Sequence, residues 1–234
     1  MSTAIVTGAS RGFGRALAVE LARAGWDLVI DARGEPELSD TLAMIEDLGG
    51  EAVAMPGDVT DPTHAGRLVE AAVAGNVFSL LVNNASLLGP SPQPRLADYP
   101  IGVFEEVLAA NLIAPLRLVQ LALPHLRQNR GTVINITSDA AVEPYEGWGG
   151  YGASKAGLEQ LSSILAAEES DITVYWFDPG DMRTAMHQDA YPGEDISDRP
   201  LPETRVPGLL GLLSGDYPSG RYLADEMLSG VAGT

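Results

Sequence analysis

Short apolar, β-prone runs alternate with helical stretches along most of this chain, and that alternation limits the fold more than any other feature. The pattern predicts strands at Thr3–Thr7, Leu28–Ile30, Ala52–Met55, Phe78–Val82, Thr132–Thr137 and Thr173–Phe177. It predicts helices at about Gly12–Ala24, Pro36–Leu48, Pro62–Ala74, Ile101–Leu126 and Gly152–Ala167. Pro115 and Pro124 fall in the later part of the fourth helix and can kink or segment it. Parallel strands need long crossovers, which helices supply, so this spacing predicts βαβ units and a doubly wound α/β sheet. From Asp181 to Val206 the pattern breaks into a stretch rich in Pro, Asp, Glu and Gly. A long connection without clear structure, directly after a strand's C-terminal end, reads as a lid, because ligands of open α/β sheets bind at that edge. A short helix at Leu209–Leu213 and a last strand at Arg221–Leu223 follow.

Composition narrows the field. The 234 residues fit one domain, 1–234, with the lid at about 181–206. A chain of this size buries roughly 70–75% of its unfolded surface and needs no staple. Cysteine is absent, which excludes a disulfide framework and thiolate metal clusters. His64, His125 and His187 lack metal-ligand spacing, so no metal is expected. The apolar runs look far short of a membrane span. Met1–Thr7 has neither a basic n-region nor a long apolar h-region, so a cytoplasmic location is expected. The net charge of −18 repels the phosphates of nucleic acids and anionic membranes, which argues against both as partners. It fits either a salty habitat or a codon bias toward Ala, Gly and Arg, and the second is the simpler reading. Of the 14 basic residues, 13 are arginines; the single lysine is Lys155.

Between the first strand and the first helix lies Thr7-Gly8-Ala9-Ser10-Arg11-Gly12-Phe13-Gly14. Glycines let a backbone turn tightly against a pyrophosphate, and a helix N-terminus adds free N–H groups and a positive dipole end. A lone glycine cluster is weak evidence, but its place at a strand-to-helix turn points to a dinucleotide site. Further motifs follow in order. Asp58-Val59 comes after the third strand, Asn83-Asn84-Ala85 ends the fourth, and Asn111 sits in the long helix. Ser138 follows the fifth strand, Tyr151-x-x-x-Lys155 opens the next helix, and Pro179-Gly180 with Thr184 follow the sixth strand. As an ordered set spanning Thr3 to Thr184, these motifs resemble the short-chain dehydrogenase/reductase family.

The resemblance implies a Rossmann-like sheet of about seven strands in the order 3-2-1-4-5-6-7, with helices on both faces. It implies a nicotinamide cofactor held by Thr7, Gly8, Ser10, Arg11, Gly12, Phe13, Gly14, Arg33, Asp58, Val59, Asn84, Ala85, Tyr151, Lys155, Pro179, Gly180, Met182 and Thr184. Two departures stand out. Ser86 replaces the family's usual glycine, leaving cofactor binding intact but crowding the nicotinamide side. The C-terminus lacks the usual Asp-Gly-Gly ending, which weakens a tetramer assumption. Association as a homodimer or homotetramer through the helices near Ile101–Leu126 and Gly152–Ala167 is the family habit.

Cofactor choice turns on the end of the second strand, Ile30-Asp31-Ala32-Arg33. An acid there reads a ribose 2′-OH, whereas a 2′-phosphate needs a cation. In the family the NAD-selecting acid aligns with Ala32, and a base at the next position marks NADP. Arg33 fills that position, and Arg11 supplies a second guanidinium suited to phosphate. Asp31 is the counterweight: a register slip of one residue would turn it to the ribose. NADP(H) is favoured.

Tyr151 and Lys155 stand four apart and share a helix face. A free tyrosine titrates near about 10, and a nearby ammonium lowers that value and makes it a usable acid or base. By resemblance, Lys155 holds the nicotinamide ribose, Ser138 polarises the substrate carbonyl, and Asn111 holds a water linking Lys155 to bulk. That the only lysine occupies this position is itself evidence of a chemical demand that the flat arginine guanidinium meets poorly. Asp139 reads as structural or lid-facing. Ser138, Tyr145, Trp148, Tyr151, Pro179 to Met182 and Tyr191 are expected to line the substrate pocket, with Leu87 and Leu88 as another wall and His187 as a further candidate. Their mainly apolar and aromatic character suits a neutral, fairly hydrophobic carbonyl or alcohol. The leading expectation is a carbonyl reductase or alcohol dehydrogenase. The alternatives are a nicotinamide-binding sensor or scaffold without chemistry, and a lyase, epimerase or dehydratase on the same scaffold.

Overall fold

The computed structural model describes residues 2–231. Seven strands form one sheet: β1 (Ser2–Val6), β2 (Asp27–Ala32), β3 (Ala52–Pro56), β4 (Val77–Asn83), β5 (Thr132–Ile136), β6 (Thr173–Asp178) and β7 (Gly220–Leu223). Every neighbouring pair is parallel, in the order β3-β2-β1-β4-β5-β6-β7. The expected topology is present, with its switch point between β1 and β4.

Strand side chains alternate in direction, so a central strand covered on both faces must be apolar throughout. In β1, Ala4 and Val6 pack with α1 (Gly12–Arg23), α2 (Glu35–Asp47) and α8 (Val206–Ser214), whereas Ile5 packs with α3 (Pro62–Ala74) and α5 (Ala114–Asn129). The remaining helices are α4 (Ile101–Leu108), α6 (Gly149–Glu168), α7 (Ala185–Ala190) and α9 (Ala224–Val231).

Three regions differ from the sequence reading. The long fourth helix is segmented earlier than its prolines suggest: a π turn at Ala109–Ile113 joins α4 to α5. Pro115 has no N–H to give the carbonyl of Asn111, four residues back, and this gap in the ladder coincides with the π turn. Pro124 lies inside α5 without ending it. Together these segments make a helix of 29 residues, Ile101–Asn129, long and apolar enough by length and composition to cross a membrane. That corrects the expectation that apolar runs fall far short of a span. In this fold Leu118, Ala122 and Leu126 bury their side chains in the core, while Ile113, Leu116 and Leu121 stay exposed.

The segment after β6 is also more ordered than its composition suggests. Thr184 caps α7 by accepting the His187 N–H at 3.1 Å, as a threonine at an N-cap does. A 3₁₀ turn follows at Pro202–Thr204, and Arg183 N–H donates to the Pro200 carbonyl at 2.8 Å, closing the base of the segment. Finally, α6 starts at Gly149, so Tyr151 lies in its first turn.

Candidate active site

A cleft of about 1060 Å³ runs along the C-terminal ends of the strands. Its floor at the switch point is the glycine loop. Gly8 (φ +67°) and Gly12 (φ +57°) have left-handed backbones that side chains disfavour. A Cβ on Gly8 would lie 2.8 Å from the Ala85 Cα, and one on Gly14 would collide with the Asn84 amide and the Gly8 carbonyl. The loop and the end of β4 are therefore packed backbone to backbone. No side chain caps α1 at Arg11, which leaves the helix's first N–H groups free beside the cleft. This cradle fits a pyrophosphate.

Thr7 is behind this wall rather than on it. It is buried, its Oγ1 donates to the Val82 carbonyl (3.3 Å), and it accepts from the N–H groups of Asn84 (2.9 Å) and Ala85 (3.0 Å). Asn84 Nδ2 in turn donates to the Thr7 carbonyl at 2.8 Å. The other residues expected to hold the cofactor all border the cleft.

Asp31 has both oxygens engaged. Oδ1 accepts the Gly8 N–H at 3.0 Å, and Oδ2 is 3.1 Å from His64 Nε2. Both residues are almost wholly buried. Gly57 makes room for the imidazole, because a Cβ there would collide with the ring. The sequence reading missed this pair. Asp31 borders the cleft, but its carboxylate anchors the glycine loop. Asp58 accepts the Thr60 N–H and hydroxyl, each at 2.8 Å, and the backbone bond first of all holds its carboxyl below the usual range. Among the described residues, neither Arg11 nor Arg33 forms a salt bridge. No cluster of three His, Asp or Glu side chains is placed to hold a metal ion among the described residues.

At the other end of the cleft, Ser138, Tyr151 and Lys155 meet. Lys155 is 1% exposed, its Nζ donates to the Ile136 carbonyl at 2.7 Å, and it lies 5.5 Å from the centre of the Tyr151 ring. Burial pulls the Lys155 amine down to about 8, against the opposing attraction of Asp178. Burial and then the Asp178 charge push the Tyr151 phenol well above its ordinary value, and the neighbouring Ser86 and Ser138 hydroxyls pull the other way. Ser138 donates its hydroxyl to Asp139 Oδ1 at 2.9 Å. Tyr145 donates to the second oxygen of Asp139 at 2.9 Å, which first of all pushes Tyr145 up to about 12.

Asn111 lies behind the cleft, wholly buried. Its Oδ1 accepts the Leu87 N–H (2.7 Å) and the Ser86 hydroxyl (3.1 Å); its Nδ2 donates to the Leu87 carbonyl and to Ser154 Oγ, both at 2.9 Å. Every donor and acceptor of the amide is used. A charged cluster beneath the site was also missed. Arg221 on β7 donates to Asp178 Oδ2 (2.8 Å) and to Glu159 Oε1 (2.9 Å), and Glu159 accepts the Thr137 hydroxyl at 2.7 Å. Its one visible signal was an acid directly before Pro179-Gly180.

The substrate end is walled by aromatic rings. Trp148 packs edge-on against Tyr145 (6.2 Å between centres) and Tyr151 (5.7 Å), and against Tyr191 of the segment after β6 (6.1 Å). Tyr191 also packs on His187 at 4.9 Å. Leu87, Leu88 and Met182 add apolar surface.

The family model for short chain dehydrogenases matches residues 2–195. Short chain dehydrogenase asqE of Emericella nidulans is 38% identical over 173 residues, 71% of this chain and 64% of that protein. The match thus spans less than two thirds of that relative's length. The 3beta-hydroxysteroid dehydrogenase 1 of Eggerthella lenta is 31% identical over 99% of this chain and 90% of its own. Among solved structures, a short chain dehydrogenase of Shigella flexneri complexed with NADP superposes with a TM-score of 0.89 at 28% identity, covering 96% of this chain and 97% of that one. The ordered motifs, the strand order and these likenesses agree, and the chain belongs to the short-chain dehydrogenase/reductase family of oxidoreductases.

Proposed function

We propose that this protein is an NADP(H)-dependent oxidoreductase that moves a hydride between the nicotinamide and a carbonyl or alcohol carbon, with Tyr151 as the general acid and base. The observation that carries the reading is one cleft with a phosphate cradle at one end and Tyr151, Ser138 and Lys155 at the other. The nicotinamide, when bound, supplies or takes the hydride. Tyr151 supplies or takes the proton at the substrate oxygen. Ser138 turns its hydroxyl from Asp139 to that oxygen and polarises the carbonyl. Lys155 holds the ribose hydroxyls, and its ammonium with the oxidised ring offsets the burial that keeps Tyr151 protonated. The Asn111 side chain is saturated, so a water serving Lys155 bonds its main-chain carbonyl, to which Pro115 has no N–H to give.

Arg11 and Arg33, which form no salt bridge among the described residues, take the 2′-phosphate, and the NADP found in the Shigella flexneri relative supports this choice. The aromatic and apolar wall suits a neutral, hydrophobic carbonyl compound. Residues 181–206 form the lid of a single domain, with Tyr191 and His187 on its inner face.

The test is NADPH oxidation against a panel of ketones and aldehydes. We expect turnover, its loss by at least about a thousandfold in Tyr151→Phe, and cofactor affinity retained. Full activity in Tyr151→Phe would overturn the mechanism. NADPH binding with no turnover of any carbonyl would favour a sensor or a lyase.

A further inference from the structure

We infer that His64 sets the cofactor preference of the cleft: by donating to Asp31 it keeps that carboxylate from reading the ribose, and so admits a 2′-phosphate. The inference rests on the reading of the cleft as the cofactor site. His64 is buried and lies outside the cleft lining, whereas Asp31 borders it. The histidine acts through the acid and is a positioning residue.

Side chains alternate along β2. Ile30 and Ala32 pack on the side of α1 and α2, and Val29 packs with Ala65 and Leu68 of α3. Asp31 falls on the Val29 face, toward α3, where His64 stands in the first turn. The imidazole fits because residue 57 is glycine; a Cβ there would lie 2.4 Å from Nδ1. Nδ1 has no hydrogen-bond partner among the described residues. Burying an unpaired polar atom is unfavourable, so an aliphatic side chain would suit the pocket better if packing were all that mattered. The bond that the ring does make is from Nε2 to Asp31 Oδ2, at 3.1 Å. A carboxylate accepts only, so Nε2 carries the proton.

Asp31 borders the cleft beside Ala32 and Arg33, where an acid reads a ribose 2′-OH and a cation reads a 2′-phosphate. A 2′-OH has a proton to give a carboxylate; a phosphate brings only negative charge. Oδ1 is engaged by the Gly8 N–H at 3.0 Å. With Oδ2 bonded to His64, the acid has a donor on each oxygen and seeks none in the cleft. Without His64, Oδ2 is a buried anionic oxygen short of a donor, which the ribose hydroxyl of NAD(H) would satisfy. The same oxygen would repel the extra phosphate of NADP(H). Asp58 on this wall is engaged in the same manner, by the Thr60 N–H and hydroxyl. Glu37 of α2 also borders the cleft and is unchanged in every variant below.

The test is the ratio of NADPH to NADH affinity by titration calorimetry, with urea melts to show that each variant is folded. His64→Leu fills the pocket without a donor and should move the ratio toward NADH by at least about tenfold, as the loss of a charge-assisted bond implies. His64→Gln, whose amide can donate to Asp31, should stay within about threefold of wild type. Adding Asp31→Asn to His64→Leu should restore the wild-type ratio, because the charge and not the packing is the agent. Equal losses of both cofactors in His64→Leu, unrelieved by Asp31→Asn, would overturn the inference and leave the pair a brace of the glycine loop. If His64→Leu does not fold, Asp31→Asn alone decides. An unchanged ratio supports the inference, and a gain of about tenfold for NADPH over NADH overturns it, since the acid would then read the ribose even with His64 in place. Failure of the NADP reading is a separate result, a wild-type chain that prefers NADH; the shift between wild type and variant judges His64.

Discussion

Among the described residues neither Arg33, at the β2 end of the cleft near Asp58, nor Arg11 in the glycine loop forms a salt bridge. A guanidinium in this state is available to a phosphate, and a charge-assisted bond is worth about 1.5–3 kcal/mol. Arg33→Ala should therefore weaken NADPH binding by roughly 10- to 100-fold and change NADH binding little, as read by titration calorimetry. Equal losses for both cofactors would sink the preference. Most site residues could be read from the sequence because each lies in a local motif at a strand end. The partners that hold them could not. His64 meets Asp31 across 33 positions and Arg221 meets Asp178 across 43, and no periodicity signals such a pairing. Asp31 shows the consequence. Read locally it competes for a ribose; in the fold its oxygens go to Gly8 and His64.

At the scale of elements, β7 looks expendable: four residues, none fully buried, at the edge of the sheet. Its Arg221 nonetheless ties β6 and α6 together beneath the catalytic groups. Removing one partner of a buried charge cluster strands the others. Arg221 is partly exposed (22%), which moderates the effect, so Arg221→Ala should lower unfolding stability by about 2 kcal/mol in urea melts at neutral pH. Burial raises the Asp178 pKa in the folded state. Protonating Asp178 removes the stranded charge, so the deficit of the variant should shrink as pH falls through that raised value. A deficit that is constant with pH would show that packing, not charge, is lost. The π turn belongs to this scale too. Its cause, the missing N–H of Pro115, was in the sequence, but a proline there also allows a kink or a new helix start, and only packing decides among them.

For the whole molecule, alternation of apolar runs was enough to reach the doubly wound sheet, because a parallel sheet covered on both faces tolerates few other patterns. The apolar side chains left outside were harder to foresee. Ile113, Leu116 and Leu121 on α5 and Ile164 on α6 are exposed, and Leu116, Leu161 and Leu165 line a groove between the two helices. We predict that the chain associates through this face. Size-exclusion chromatography with light scattering should give at least twice the mass of 24.6 kDa, and Leu116→Glu with Leu121→Glu should return a monomer. A wild-type monomer would contradict the prediction. A charge of −18 on each copy opposes association, so the assembly should loosen as ionic strength falls.

The solitary lysine has one more consequence, for the bench. With Lys155 1% exposed and bonded to the Ile136 carbonyl, the folded chain offers amine-selective reagents no ε-amino group on its outer surface. Acylation of Lys155 then reads access through the cleft that the residue borders, and bound cofactor should slow it.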